Sequence, residues 1–211
     1  MPSFEYIHEP DEIYAESFRR IEAEVDFKNF SGIMRSVAMR MVHASAMVEV
    51  AGLIKYSNNC AETGKAALQN GANVLVDAEM VKRGIITKHL PKNNNVECFL
   101  DAPGVADEAK ARGETRSAIA VERWGEMLAG AVCVIGNAPT ALFRLLEIIE
   151  KNPETKPALI IGLPVGFVGA SESKEALIKN ANDIPFITIQ GRLGGSAMAA
   201  AVINAISIGG Q

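Results

Sequence analysis

The chain of 211 residues carries 25 acidic and 21 basic side chains, a net charge of −4, and shows no basic stripe suited to nucleic acid or an anionic membrane surface. Nearly half of its residues are apolar but only 6% are aromatic, so Ala, Val, Ile and Leu must build the core, and the length is enough to bury one as a single α/β domain. No uncharged apolar run approaches the roughly 18 residues of a membrane span, and the opening MPSFEYIHEP is acidic and lacks the apolar stretch of a signal peptide. Cys60, Cys98 and Cys133 are odd in number and share no metal-ligand spacing, which reads as a reduced, cytoplasmic protein with ordinary buried thiols.

The first helix is PDEIYAESFRRIEAEV, opened by a proline and by acidic residues in its first turn. A second is expected from about Met34 to about Val50. Beyond it the chain alternates. Short β-rich runs at VLVD (74–77), VECFL (96–100), AVCVIG (131–136), ALIIGL (158–163) and PFITIQG (185–191) are separated by helical stretches. Those are AEMVKRG, VADEAKARG, RSAIAVERWGEMLAG, PTALFRLLEIIEKN and SKEALIKNA, and GSAMAAAVINAI closes the chain. Apolar strands spaced by helices spell a parallel sheet covered on both faces. Five of them predict a three-layer, doubly wound α/β sandwich, flavodoxin-like or Rossmann-like. KNNN (92–95) reads as a polar turn, and no linker, repeat or change of composition divides residues 1–211, so one domain is expected.

Three strands end in glycine-containing loops that open helices: VCVIG runs into NAPTALF, ALIIG into LPVGFVGASESK and FITIQ into GRLGGSAM. In a parallel sheet these loops share the carboxyl edge, where ligands of such folds bind. Helix N-termini there offer unpaired N–H groups and partial positive charge to an anion. Loops of this kind need glycine and capping residues in any case, so a purely structural reading stands beside the functional one. Three on one edge, with Asn137 and Thr140 in the first and Arg192 in the last, also fit an anion-binding rim.

Several chemistries are missing from the sequence. There is no G-x-x-x-x-G-K-[ST], and Gly162, Gly166 and Gly169 do not have the spacing of a dinucleotide loop. No G-x-S-x-G stands out. His8, His43 and His89 are isolated, which argues against a metal held by the protein.

His43 lies in RMVHASAMVEV (40–50). On a helical wheel Met34, Val37, Ala38, Met41, Ser45 and Val48 gather on one side, the natural core face. Ser36, Arg40, His43 and Met47 gather opposite, whereas a histidine that merely fills the core belongs with the first group. Met39, Val42, Ala46 and Val50 leave few charged positions anywhere on the helix, so a second cover is expected from a ligand or another subunit. Weaker candidates are Ser17 in the first helix, Arg116 after a helix-opening Thr115, and Asp77 with Glu79 as a capping pair. Phe167 reads as a packed aromatic.

SF (17–18), RMVHA (40–44), DAEM (77–80), TRSA (115–118), GNAPTALFRLLE (136–147), PVGFVGASESKEAL (164–177) and GRLGGSAMAAA (191–201) together resemble the precorrin-8X methylmutase family of cobalamin biosynthesis over essentially the whole chain. The resemblance implies a flavodoxin-like sheet and a homodimer with substrate sites near the subunit interface. It also implies migration of a methyl group from carbon 11 to carbon 12 of a corrin-like tetrapyrrole, giving hydrogenobyrinate without an external cofactor. His43 matches the family's catalytic histidine, which gives a proton to a ring nitrogen and takes it back, and Ser17 and Arg40 match substrate-binding positions.

The residues suit that role. A methyl group migrates along a conjugated ring more readily when the π-system is electron-poor, and protonating a ring nitrogen makes it so. Imidazole donates and recovers a proton near neutrality, help typically worth about 10² to 10⁴ in rate. Arg40, Arg116 and Arg192 suit the substrate's carboxylates, and the loops with Asn137 and Thr140 can hold others. The product would pass to neighbouring cobalamin-pathway enzymes. A sister branch acts on the cobalt-containing substrate, but VLVDAEMVKRGI and GRLGGSAM look closer to the cobalt-free branch, and any cobalt would belong to the substrate. Two other classes fit the architecture: a flavin- or nucleotide-binding enzyme and a non-catalytic tetrapyrrole carrier.

Overall fold

Side chains along a strand alternate between the two faces of its sheet, and each face here finds its own cover. The computed structural model describes residues 4–181 and 183–209, so the first three residues of MPSFEYIHEP lie outside it. The sheet comprises β1 (Ile54–Tyr56), β2 (Val74–Val76), β3 (Val96–Cys98), β4 (Val132–Ile135), β5 (Leu159–Gly162) and β6 (Phe186–Ile189). From β2 onward the strands pair in parallel. The order is β1-β6-β5-β4-β2-β3. Numbered from the first parallel strand, β3-β2-β4-β5-β6 reads 2-1-3-4-5, the flavodoxin-like order and not the Rossmann one.

On one face Val74, Val76, Val132, Val134, Leu159, Ile161, Ile187 and Ile189 meet α2 (Gly32–Ser45), α4 (Cys60–Gln69), α5 (Glu79–Gly84) and α10 (Ser196–Ile208). Leu75, Cys133, Ile135 and Ile160 point the other way, against α8 (Pro139–Lys151), α9 (Ala170–Asn180), Trp124 and Leu128. This is the three-layer sandwich expected. A smaller cluster of Val105, Ala109, Ile119 and Ala120 joins α6 (Val105–Arg112) to α7 (Arg116–Glu122).

Two elements depart from expectation by their presence. β1 is a sixth strand, antiparallel to β6, with Ile54 opposite Ile189 and Tyr56 opposite Ile187. Three residues are too few to display alternation, and pairing with β6 is what makes them a strand. α4 was also unforeseen, because CAETGKAALQ is rich in small residues and carries a glycine at its centre. Its Gly64 explains the composition: a Cβ there would stand 2.5 Å from Leu159 Cδ2, so α4 lies close against β5.

Other elements end earlier than expected. α2 stops at Ser45, where Ala46 turns left-handed at φ 53°. The Ser45 hydroxyl turns back to the Met41 and Val42 carbonyls. Met47, Val48 and Val50 therefore do not share a wheel with His43, and the last begins the short α3 (Val50–Leu53). RSAIAVERWGEMLAG likewise breaks after α7, where Gly125 at φ 48° opens a 3₁₀ turn that buries Leu128. In KNNN, Asn94 is no exposed turn residue: it is buried and donates to the Leu68 and Ala72 carbonyls, tying the approach to β3 onto α4.

Candidate active site

The core face of α2 is as the wheel placed it, with Met34, Val37, Ala38 and Met41 buried and α10 the chief neighbour. Fully burying each such larger apolar side chain contributes about 1.5–3 kcal/mol, which anchors the helix. His43 stands on the last turn of α2, exposed. The cover on its side is partial. Met39 and Val42 are buried within the chain, but Ala46 and Met47 are open.

What faces His43 is α1 (Pro10–Glu24), which has no buried residue of its own. The Phe18 ring meets the imidazole edge-on at 5.4 Å and the Tyr14 ring lies 5.7 Å away. Phe18 also lies beneath the Arg40 guanidinium at 5.6 Å, a cation–π contact. Arg40 is half-buried, and its Nε is buried with no hydrogen-bond partner among the described residues. Ser17 and His43 line one pocket of about 250 Å³ with Arg20, Ile21 and Val42, and the Ser17 hydroxyl donates to the Ile13 carbonyl. Ser17, Arg40 and His43 are thus brought together.

The three glycine loops do adjoin on the carboxyl edge. Gly195 N donates to the Leu163 carbonyl (2.8 Å) and Gly166 N to the Arg192 carbonyl (3.2 Å). A Cβ on Gly169 would meet Pro139 at 3.2 Å, and one on Gly136 would meet the Ser196 Cα at 3.0 Å. The chain leaving α2 reaches the same edge, since Gln190 N donates to the Leu53 carbonyl beside the last loop.

Charge under this rim is arranged in a way the sequence reading missed. Lys174 on α9 is fully buried and donates to the Leu193 carbonyl, and burial brings its ammonium down to about 8. Asp77 is buried at the end of β2. It caps neither α5 nor a pair with Glu79; its carboxylate accepts from Gly136, Asn137 and Ala138 N at 2.8, 2.9 and 2.7 Å. Burial pushes its carboxyl above the usual range, and the three amides oppose that. The N-terminus of α8 is therefore not an open anion site, because the chain's own carboxylate fills it.

The remaining candidates form separate groups. Asn137 is half-buried with its main-chain amide given to Asp77. Thr140 Oγ1 lies 2.7 Å from Thr115 Oγ1, and Thr115 caps α7 by accepting from Ala118 N. Arg116 is exposed and pairs with Asp101 at 3.1 Å. Arg192 lies 4.9 Å over the Phe167 ring, which is 84% exposed and so not the packed aromatic expected. A loop that turns through Gly166 and Gly169 lifts that ring clear of the core. These groups share the sheet edge with His43, yet no side-chain hydrogen bond or ion pair of the described residues joins them to it.

The family whose model is described as precorrin-8X methylmutase matches residues 12–208. A precorrin-8X methylmutase from Sinorhizobium sp is 47% identical over 98% of this chain and 98% of its own. A cobalt-precorrin-8 methylmutase from Priestia megaterium is 37% identical over 95% of this chain and 88% of its own. The solved structure of a precorrin-8X methylmutase from Thermus thermophilus superposes with a TM-score of 0.84 at 38% identity, covering 93% of this chain and 94% of that one. Fold and relatives together define an isomerase of the methylmutase class. The chain belongs to the precorrin-8X methylmutase family.

Proposed function

We propose that this chain, as one domain over residues 1–211, moves a methyl group from carbon 11 to carbon 12 of cobalt-free precorrin-8X to give hydrogenobyrinate, with His43 as proton donor and acceptor. The observation that carries the reading is the placement of His43: exposed on the last turn of α2, off the core face, one turn after Arg40 and against the rings of Tyr14 and Phe18. An imidazole there can protonate a ring nitrogen, drain electron density from the conjugated system while the methyl group moves, and recover the proton as the product forms. No external cofactor is required by that cycle.

Ser17 and Arg40 would bind the substrate nearest His43. Arg116, Arg192, Asn137 and Thr140 would meet its carboxylates farther out, as arginine forks and loop groups do. The pocket at His43, about 250 Å³, lies below the roughly 300–1,000 Å³ typical of small-ligand sites, and a tetrapyrrole with its acid arms is larger still. One chain alone therefore offers a half-open site. That supports a homodimer in which a second copy covers the apolar rings left open at Tyr14 and Phe4. No helix among the described residues is long and apolar enough to cross a membrane. We place the enzyme in the cytoplasm, handing its product to the next enzymes of cobalamin biosynthesis.

The cobalt-free substrate is favoured over the cobalt-containing one by the 47% identity to the Sinorhizobium enzyme against 37% to the Priestia enzyme. A flavin or nucleotide enzyme is disfavoured because the family match over residues 12–208 and the relatives similar over nearly the whole chain are methylmutases. The test is addition of precorrin-8X to the purified protein. The visible spectrum should shift to that of the corrin. Binding without a shift would mean a carrier, and a yellow protein as isolated would mean a flavoprotein.

A further inference from the structure

In a sheet of order 2-1-3-4-5 the direction of winding reverses between the first and third parallel strands, here β2 and β4, and ligands of such folds settle outside the carboxyl ends at that point. In this chain something already occupies it. Asp77 follows β2 directly, and its own N–H donates to the Val134 carbonyl, so the backbone pairing of β2 with β4 continues through it. Its carboxylate crosses to the end of β4. Oδ1 accepts from Gly136 N, and Oδ2 accepts from Asn137 N and Ala138 N.

All three partners are donors, so this nest suits the ionised carboxylate, whose oxygens only accept. Behind the amides runs the 13-residue α8, whose positive end stabilises the charge further. The loop cannot retreat inward either. A Cβ on Gly136 would stand 2.6 Å from Val81 Cγ2 and 2.9 Å from Ala199 Cβ, so the backbone is already in contact there. Asp77 is 1% exposed, and no external ion can replace it without displacing the side chain.

We propose that Asp77 is a positioning residue: its carboxylate is a resident anion that closes the switch point to outside anions and fixes the 136–140 loop, so that Asn137 and Thr140 are presented to the substrate. The substrate half of this statement rests on the methylmutase reading given above; the resident-anion half does not. The consequence is that an anionic ligand cannot draw its amide donors from Gly136, Asn137 and Ala138 at the start of α8.

Asp77→Asn and Asp77→Ala test it. Asparagine keeps the shape but turns an N–H₂ toward an N–H, whereas alanine leaves the three amides empty. With Asp77→Asn, hydrogen exchange at Asn137 and Ala138 should quicken, and KM for precorrin-8X should rise, each by about tenfold to hundredfold, as expected when bonds to a charged group are lost. The kcat should change little, because the substitution leaves His43 in place. With Asp77→Ala, millimolar formate should restore slow exchange and a low KM by reoccupying the nest. Unchanged exchange and KM in Asp77→Asn would overturn the proposal. So would a loss of kcat with KM unchanged, the mark of general destabilisation, or a failure of formate to rescue Asp77→Ala. If neither variant folds, exchange in the wild-type protein decides: slow exchange at 136–138 supports the nest and unprotected exchange overturns it. The exchange and formate readouts need no substrate, so a wild-type protein unable to convert precorrin-8X would sink the methylmutase reading and leave the resident anion standing.

Discussion

Alanine in place of Gly194 would strike the junction between two of the rim loops. Gly194 sits at φ 157°, and a Cβ built on it would stand 2.3 Å from the Leu163 carbonyl oxygen and 2.6 Å from that of Pro164. Both are backbone atoms, so neither can swing aside. Segment 191–195 must lift, which breaks the 2.8 Å bond from Gly195 N to the Leu163 carbonyl and loosens the 3.2 Å bond from Gly166 N to the Arg192 carbonyl. The backbone strain is of order 1–3 kcal/mol, and each lost bond costs about 1 kcal/mol. Alanine's stiffer unfolded chain returns about 0.4–1 kcal/mol. A net loss of about 3 kcal/mol, at about 2–4 °C per kcal/mol for a chain of this size, lowers Tm by about 10 °C. Thermal denaturation followed by circular dichroism reads this directly. Gly71→Ala is the control: it shares a positive φ of 86°, but no atom of the described residues lies within 4 Å of its Cβ, and it should cost far less. A Gly194→Ala protein melting with the wild type would refute the close approach of these loops.

Arg40→Lys keeps the charge but loses the fork, and should raise KM for precorrin-8X by about tenfold or more with folding intact; an unchanged KM removes Arg40 from the binding surface. Burial holds the Lys174 ammonium at about 8, against 10.5 for an exposed lysine. Between those values the unfolded chain binds a proton that the folded chain does not, so stability from this group rises with pH across that window. Lys174→Met should flatten that rise in urea denaturation near pH 8 and near pH 10, and parallel curves for variant and wild type would contradict the assignment. Burial pushes the Cys60 thiol up to about 12 and raises that of Cys133 as well, while Cys98 is only half-buried. A thiol reagent near pH 8 should therefore modify at most Cys98 in the native protein and all three cysteines once it is unfolded. Rapid reaction of a second thiol in the native protein would show that the core is not closed.

The central parallel strands β2, β4 and β5 were legible because both of their faces are buried, which leaves unbroken apolar runs such as VCVI and LIIG in the chain. β1 was not, since its three residues become a strand only through pairing with Ile187–Ile189. The end of α2 was hidden because Ala46 adopts a left-handed conformation that its residue type does not advertise. Within the site, the wheel separated His43 from Met34, Val37 and Met41 correctly, as burial follows from helix geometry alone. Lys174 could have been found: Ala170, Ser173, Lys174 and Leu177 fall on one helical face, and all four are buried. The role of Asp77 could not, because its partners lie about 60 residues away across the switch point and depend on strand order. The arginines at 116 and 192 were visible as residue types, but only the fold shows that one pairs with Asp101 and the other lies over Phe167.

The most direct test of the account is turnover of precorrin-8X by His43→Ala, followed by the visible spectrum of the corrin. His43 is exposed and off the core face, so the variant should fold, melt close to the wild type and still bind hydrogenobyrinate. Its rate of conversion should fall by at least the factor of about 10² to 10⁴ that general acid–base help supplies. A His43→Ala protein that converts precorrin-8X at a near-normal rate would contradict the claim that this imidazole moves the proton.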